Sequence, residues 1–301
     1  METVLAAKGL TKRFGTQEAV SDLSFGVERG DVYGFLGENG AGKSTTMRML
    51  VGLITPTSGT VEVMGQEMKR GNTKALEHMG AMIERPDMYR YLTGLDNLKY
   101  FGALGGKKVT PGRLAEVLEM VGLTGREGDK VHAYSQGMKQ RLGIAIALVN
   151  DPEILILDEP SNGLDPQGIA DMRTLITRLS QEHGKTILIS SHLLHEIELM
   201  ATRMLIIHKG KKMAEGRVSE LLNADENLVE LGVEDAERYA AMMGEGNGAG
   251  KVTEVSKDKI VMKMNPGAVP EVVAWLAKQG ARITRVETRH SLEAYFLSLT
   301  K

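Results

Sequence analysis

The segment GENGAGKS, residues 37–44, combines glycines, a lysine and a serine at the spacing G-x-x-x-x-G-K-S. It follows the apolar run VYGFL and precedes the helix-like TTMRMLVGL, so we predict a loop between a strand and a helix. Backbone N–H groups of such a loop can surround phosphate oxygens, because glycine has no Cβ to block them. The N-terminus of the following helix adds partial positive charge. This segment therefore predicts a phosphate-binding loop.

Two side chains of this loop have predicted roles beyond those of its backbone. Lys43 would reach the β- and γ-phosphates of a bound nucleotide, and the Ser44 hydroxyl would ligate Mg²⁺. The loop residues that we expect to bind the nucleotide are Gly37, Asn39, Gly40, Ala41, Gly42, Lys43, Ser44 and Thr45.

Two acidic residues end a second apolar run, EILILDEP, where a carboxylate of a parallel sheet can emerge beside a phosphate loop. We predict that Asp158 contributes to the magnesium site. Glu159, one residue later, would orient or deprotonate the water that attacks the γ-phosphate. Together with the loop, these acids predict a nucleotide hydrolase with Glu159 and Lys43 as catalytic residues.

The segment YSQGMKQRLGIAIALVND resembles the signature that separates ABC ATPases from other phosphate-loop proteins. The usual form is L-S-G-G-Q, whereas this chain reads Tyr134, Ser135, Gln136, Gly137, Met138, so the serine and the second glycine remain. A serine-capped helix start directs N–H groups at an anion. The resemblance implies that Ser135 and Gly137 contact the ATP bound by a partner subunit, with two ATP molecules held between two chains.

Further segments resemble ABC landmarks in the usual order. Asp165 in NGLDP resembles the loop that communicates across the dimer. His192 in TILISSHLLHE resembles the switch histidine that contacts the γ-phosphate, with His195 as its local rival. Phe14 in TKRFGT resembles the aromatic ring that stacks on adenine, although a buried phenylalanine without ligand contact is the alternative.

One position departs from the family pattern. Where the family usually has glutamine after the third strand, AMIERPDMY offers Glu84, which as an ionised carboxylate only accepts hydrogen bonds and adds negative charge near magnesium. The resemblance implies that Glu84 contacts the metal, and a solvated loop acid is the alternative. A similar substitution is familiar in bacitracin-resistance and lantibiotic self-immunity exporters, which this chain resembles.

This resemblance implies further partners and a location. The chain would be the ATP-hydrolysing subunit of an exporter of drugs or peptide antibiotics. It would form a homodimer and bind integral membrane permease subunits. It would be cytoplasmic and held at the inner face of the cell membrane through that permease.

The elements that must position these residues fall into two predicted domains. The runs VYGFLG, EILILDE, TILISS and MLIIHKG predict strands of one sheet, and residues 84–151 predict a mainly helical insert. We therefore expect an α/β phosphate-loop ABC ATPase domain over residues 1–217. The order β, α, β, β, α, β in residues 225–301 predicts a small ferredoxin-like α+β domain, with a GEGNGAG loop and a closing amphipathic SLEAYFLSL.

Composition removes several other classes of function. The 37 basic and 39 acidic residues give a net charge of -2, so no strong positive field favours nucleic acid as a partner. The chain has no cysteine, which fits a reducing compartment. Its apolar runs are much shorter than the roughly 20 residues of a membrane span, and no apolar signal segment is expected near the N-terminus.

Three alternatives share some of these motifs. A DNA-maintenance ABC ATPase would insert long coiled-coil arms, and a ribosome-associated one would normally carry two ATPase cassettes. A regulatory protein with a lapsed ATPase is disfavoured because Lys43, Asp158 and Glu159 are all intact.

Overall fold

The apolar runs fold into strands and the amphipathic segments into helices. The computed structural model describes residues 2–69, 74–84, 88–106, 108–222, 227–243 and 250–289. The strands are β1 (Thr3–Phe14), β2 (Gln17–Glu28), β3 (Val32–Leu36), β4 (Ser58–Val63), β5 (Gln66–Glu67), β6 (Met79–Met82), β7 (Ile154–Asp158), β8 (Thr186–Ser191), β9 (Arg203–His208), β10 (Lys211–Arg217), β11 (Asn227–Val233), β12 (Lys251–Ser256), β13 (Lys259–Met264) and β14 (Ile283–Arg289).

The helices alternate with these strands along most of the chain. They are α1 (Lys43–Leu50), α2 (Gly94–Leu104), α3 (Pro111–Met120), α4 (Gln136–Leu148), α5 (Pro166–Gln181), α6 (Leu194–Met200), α7 (Val218–Leu222), α8 (Ala236–Met243) and α9 (Val269–Lys278). Short 3₁₀ turns occupy Lys74–His78, Val131–Ala133 and Pro266–Ala268. The chain divides into two compact units, Met1–Val218 and Ser219–Lys301.

A six-stranded sheet forms the centre of the first unit, in the order β10-β9-β3-β8-β7-β6. Its strands run parallel except β10, which is antiparallel to β9. Every residue of β3, β7 and β8 is buried, as expected for a parallel sheet packed on both faces. The prediction that the four apolar runs share one sheet is confirmed, and the carboxyl ends of these strands carry the phosphate loop and the acidic pair.

A separate antiparallel sheet, in the order β2-β1-β4-β5, was not predicted. Its pairing is irregular, with several register shifts between β1 and β2 and a left-handed Gly9. The side chains of Leu10 and Leu23 are fully buried in the same apolar cluster as Tyr33 and Phe35 of β3. The irregular pairing explains why a simple alternation of apolar and polar residues is missing from these strands.

The insert between β6 and β7 consists mainly of helices, as predicted. Thr93 and Thr110 each cap a helix by accepting a hydrogen bond, from the backbone N–H of Asp96 and of Arg113. Pro111 occupies the first turn of α3, where its missing N–H is not needed. In the part of the chain that the structure describes, no helix is long and apolar enough to cross a membrane.

The second unit contains a four-stranded sheet in the order β12-β13-β11-β14, with every neighbouring pair antiparallel. The helices α8 and α9 pack on a core that includes Val229, Leu231, Met262 and Leu276. The predicted order β, α, β, β, α, β is confirmed, and it is that of a ferredoxin-like unit. The predicted closing segment SLEAYFLSL and the loop residues 244–249 lie outside the described residues.

Candidate functional site

The predicted phosphate loop joins β3 to α1 in a backbone conformation that requires glycine. Gly40 and Gly42 have φ angles of 82° and 107°, in the left-handed region that side chains rarely adopt. A Cβ on Gly42 would lie 2.7 Å from the carbonyl oxygen of Ala19, and one on Gly37 would lie 2.6 Å from that of Ile207. The loop therefore packs too closely against its neighbours to accept larger residues at these two positions.

Lys43, the first residue of α1, is only 5% exposed. Its Nζ donates hydrogen bonds to the carbonyl oxygens of Gly37 at 2.7 Å and of Glu38 at 3.2 Å. The same ammonium group lies 3.2 Å from Oε1 of Glu159. The loop thus surrounds a buried positive charge that has an acidic partner from the end of β7.

A cavity of about 490 Å³ lies beside this loop. Phe14 lines it, is 51% exposed and has Nζ of Lys12 at 5.2 Å from its ring centroid. A core role for Phe14 is therefore excluded. The full lining consists of Phe14, Gln17, Glu18, Ala19, Glu38, Asn39, Gly40, Gly42, Lys43, Ser44, Thr45, Glu159 and Lys209. Of the predicted loop residues, Gly37 and Ala41 are outside this lining, and Ala41 packs in the apolar core.

One acid in the lining has a perturbed pKa. Hydrogen bonds from the side chains of Ser21 and Arg13 hold the pKa of Glu18 below its ordinary value of 4.5. Glu18 is therefore ionised at neutral pH at the Phe14 end of the cavity. Three lining residues were not predicted because they match no motif: Gln17 and Glu18 come from β2, and Lys209 comes from the β9–β10 turn.

The two acids of β7 are fixed by the neighbouring strand. Asp158, the last residue of β7, is 2% exposed, and its Oδ1 accepts a hydrogen bond of 2.5 Å from the hydroxyl of Ser190 on β8. That hydroxyl oxygen accepts a bond of 2.9 Å from the backbone N–H of Glu159. Glu159 has a φ of 50°, a left-handed conformation that is uncommon for residues other than glycine. Through these two hydrogen bonds, the Ser190 hydroxyl fixes the backbone turn between Asp158 and Glu159.

His192 lies just after β8 and contacts the second acid. Its Nδ1 is 2.7 Å from Oε2 of Glu159, while Lys43 approaches the other carboxylate oxygen. Among the described contacts it is His192, and not its local rival His195, that meets Glu159. The predicted catalytic residues Lys43, Glu159 and His192 therefore form one contiguous cluster.

A second cavity of about 760 Å³ adjoins this cluster and brings together the predicted metal ligands Ser44, Asp158 and Glu84. Its other lining residues are Gln136, Gln140, Glu159, Asn162 and Gly163. Glu84 has a φ of 62° and forms an ion pair with Arg48 of α1. Arg48 lies 36 residues from Glu84 and belongs to no motif, so this contact was not predicted.

Comparison with known proteins agrees with this geometry. Residues 20–162 match the family profile described as ABC transporter. The chain is 42% identical over its whole length to "Uncharacterized ABC transporter ATP-binding protein YhcH" of Bacillus subtilis strain 168, 97% of which is covered. The chain belongs to the ABC transporter ATP-binding family.

Two other similarities support the assignment to the ABC family. The "Bacitracin transport ATP-binding protein BcrA" of Bacillus licheniformis is 40% identical over 99% of this chain and 98% of its own length. A solved structure described as an ATP binding subunit of an ABC transporter superposes with a TM-score of 0.64 at 30% identity, covering 73% of this chain and 92% of that one. The predicted family, fold and ATPase activity are confirmed, so this ABC subunit binds and hydrolyses ATP.

One signature residue of this ABC subunit, Gln136, lines the second cavity together with Ser44 of the phosphate loop, whereas the residues predicted to act on the partner's ATP do not. Ser135 caps α4 by accepting a hydrogen bond of 3.2 Å from the backbone N–H of Met138. A Cβ on Gly137 would meet Leu164 only at 3.9 Å, so packing among the described residues does not require glycine there. Asp165 caps α5 by accepting a bond of 3.0 Å from Gly168 N–H. None of the three predicted trans-acting residues, Ser135, Gly137 and Asp165, lines either cavity.

Proposed function

We propose that this ABC subunit drives the export of a drug or peptide antibiotic, and that it does so as a pair of identical chains. The observation that carries the proposal is the position of Glu159 between Lys43 and His192, at the mouth of the phosphate loop. The similarity to the bacitracin transport protein supports the proposed class of substrate. The chain would then couple ATP hydrolysis to movement of a membrane partner.

The cluster suggests how the reaction is divided among its residues. Lys43 would donate charge-assisted hydrogen bonds to the phosphates of ATP. These bonds would stabilise the negative charge that develops on the leaving group. Glu159 would orient the attacking water and accept its proton, while the bond of 2.7 Å between His192 and Glu159 would fix the direction of the carboxylate. His192 would also lie close to the γ-phosphate. The buried hydrogen bond from Ser190 to Asp158 keeps the adjoining turn in place.

Two residues beside this cluster, Ser44 and Asp158, have side chains that fit a magnesium ion. Mg²⁺ is usually held by one or two carboxylates or hydroxyls together with phosphate oxygens and water. Ser44 and Asp158 line one cavity and supply a hydroxyl and a carboxylate, so we propose them as ligands, with Glu84 nearby. When bound, the ion would neutralise charge on the phosphates during transfer.

A pair of chains would explain why the predicted trans-acting residues line neither of the two cavities beside their own phosphate loop. Ser135, Gly137 and Asp165 would act on the ATP held by the partner chain. This can be tested by mixing Ser135→Arg chains with Glu159→Gln chains, since each mixed dimer has one site with both lesions and one site with neither. Partial recovery of hydrolysis, absent from either variant alone, is expected. No recovery in dimers shown to be mixed would contradict shared sites.

The first unit has an apolar groove that would suit a membrane partner. A groove of about 630 Å³ runs beside β6, next to Glu84. Its lining is almost entirely apolar: Val51, Leu53, Leu76, Met79, Ala81, Met82, Ile83, Met88, Phe101, Gly143 and Ile146. Leu53 is 65% exposed, and the nearby insert exposes Tyr91 and Leu104. We propose that a permease subunit docks here and holds the chain at the inner face of the membrane.

The docking proposal is tested by co-purifying the full chain with the membrane proteins expressed beside it. Leu53→Asp should release the membrane partner while leaving ATP binding intact, and Met242→Asp, at an exposed position on α8 of the second unit, is a control for the added charge. Retention of the partner by Leu53→Asp would contradict the docking site.

We also propose residues 1–217 as the ATP-binding domain and 225–301 as an accessory domain.

A further inference from the structure

The ion pair between Arg48 and Glu84 links two elements that meet at the second cavity. Arg48 lies on α1, the helix that begins with Lys43, and Glu84 follows the end of β6. Their Nη2 and Oε1 atoms are in direct contact. Both side chains are partly exposed, at 38% and 58%. The pair therefore connects the phosphate-loop helix to the first residues after a core strand.

The second cavity is lined by several negative charges, and the ion pair between Arg48 and Glu84 offsets one of them. Three carboxylates line the cavity, from Glu84, Asp158 and Glu159, together with amides and a hydroxyl, and the described lining contains no cation. Glu159 obtains its positive partner from Lys43, outside the lining. Asp158 obtains a hydroxyl partner from β8. Arg48 is the corresponding partner of Glu84, so each of the three acids is held by a group from another segment.

We infer that Arg48 is a positioning residue that holds Glu84 in place and offsets its charge, so that this carboxylate does not repel the terminal phosphate of ATP. The inference rests on the proposed function, because it assumes that the phosphate lies between Lys43 and this cavity. An unpaired carboxylate here would add a negative charge to a space already lined by two others. Paired with Arg48, Glu84 contributes little net charge.

The charge model makes a prediction that a simple structural role does not. If Arg48 acts only by offsetting Glu84, its removal should weaken triphosphate binding while Glu84 is a carboxylate and have no effect once Glu84 is an amide. If Arg48 only stabilises the fold, its removal should act equally in both backgrounds. An exposed ion pair usually adds little to folding, so the variants should remain folded.

The experiment measures binding of Mg²⁺ with a non-hydrolysable ATP analogue, and of Mg²⁺ with ADP, to the full chain by calorimetry at low salt. Arg48→Ala should weaken binding of the analogue about three- to tenfold and change ADP binding less than about twofold, because screened repulsion falls with distance from Glu84. When Arg48→Ala is added to Glu84→Gln, binding should stay within about twofold of that of Glu84→Gln itself, whatever Glu84→Gln does alone. Arg48→Lys, which keeps the charge, should bind nearly as wild type.

Arg126→Ala provides a matched control, because Arg126 forms an exposed ion pair with Asp129 at 2.8 Å in another part of the insert. Unchanged analogue binding in Arg48→Ala would overturn the inference. If Arg48→Ala weakened binding as much in the Glu84→Gln background as in the wild-type background, the inference would be overturned as well, since Arg48 would then act independently of Glu84. A wild-type chain that bound neither nucleotide would overturn the proposed function and this inference with it, whereas the pattern among the variants tests the inference alone.

Discussion

The central sheet of the first unit and the sheet of the second unit both contain apolar strands, but they differ in how many residues of each strand are buried. All five residues of β3 and all five of β7 are buried. In the second unit, β13 has an exposed Lys263 between buried neighbours, and β12 is exposed along most of its length. This is the usual contrast between a parallel sheet packed on both faces and an antiparallel sheet with one open face.

The direction of the strands also decides where functional groups can collect. Parallel strands end at one edge, so the residues that follow β3, β7 and β8 meet there as Lys43, Glu159 and His192. In the antiparallel sheet, successive strands end at opposite edges. Its charged residues pair locally instead, as Arg285 does with Glu287 at 2.5 Å. The comparison predicts that catalysis depends on the first unit alone. It also predicts that the stability of the second unit depends mainly on its apolar core.

The largest expected effect is on hydrolysis. Glu159→Gln should lower the ATPase rate by a hundredfold or more, because the amide keeps the shape of the side chain but cannot accept the proton of the attacking water. ATP binding should persist, since Lys43 and the loop glycines are unchanged. Phosphate release by the assembled transporter is the measurement.

The matched control for this variant is Glu287→Gln in the second unit, which makes the same chemical change at a paired surface acid. Its ATPase rate should equal that of wild type. Equal loss in both variants would show that the contrast between the two units is wrong. An undiminished rate in Glu159→Gln would remove Glu159 from the role of base.

Residues that are adjacent in sequence were the ones that sequence patterns could predict. The phosphate loop is a contiguous segment, and Asp158 and Glu159 are neighbours at a strand end, so spacing alone indicated their chemistry. The partner of Asp158 lies 32 residues away and that of Glu84 lies 36 residues away. Such contacts depend on which strands and helices become neighbours, and a single sequence does not disclose that.

The same reasoning applies to the fold. The fully buried runs of β3, β7 and β8 were recognisable because strands packed on both faces are continuously apolar. The antiparallel sheet of β1, β2 and β4 escaped prediction because register shifts break its alternation. The second unit was predictable because its short elements follow a regular order with turn residues between them.

The next effect in size concerns stability of the second unit. Leu231 is fully buried in its core, so Leu231→Ala should destabilise that unit by about 3 kcal/mol through lost burial and a remaining cavity. Trp275, the single tryptophan of the chain, lies in α9 and reports on this unit by its fluorescence during urea unfolding. ATP affinity should stay the same.

Val255→Ala is the control, because Val255 is 38% exposed on β12 and its truncation should shift the unfolding midpoint very little. A large fall in ATP affinity in Leu231→Ala, under conditions in which the second unit is still folded, would contradict the separation of roles between the units.

A smaller effect is expected at the base end of the nucleotide cavity. Phe14→Ala should weaken ATP binding by about 1–3 kcal/mol, the range in which aromatic stacking on a base contributes. Phe14→Tyr keeps the ring and should bind nearly as wild type. Both affinities can be measured with ATP and with inorganic triphosphate, which lacks a base. Equal weakening for the two ligands would show that Phe14 does not stack on the base.

The smallest expected effect lies at the opposite, amino ends of the parallel strands, where no catalytic residue was predicted. Glu153, one residue before β7, forms an ion pair with Arg29 at 2.6 Å and lies 3.0 Å from Nδ1 of His78. The hydrogen bond from Arg29 lowers the pKa of Glu153 below its ordinary value of 4.5, and burial partly opposes the shift. The charged form is therefore favoured in the folded chain.

A carboxyl group whose pKa falls on folding stabilises the protein above its unfolded pKa, and this contribution disappears as the pH falls through the folded value. Glu153→Gln should therefore lower the urea midpoint of the first unit near pH 7, and the difference from wild type should shrink as the pH falls below 4.5. The shift should be small, on the order of 0.2 M, because exposed ion pairs contribute little. Circular dichroism at several pH values measures it, with Glu77→Gln as a control for loss of a nearby acid. A difference from wild type that is the same at pH 7 and pH 3 would show that Glu153 contributes by packing and not by its charge, while an ATPase rate equal to that of wild type would confirm that this end of the sheet is structural.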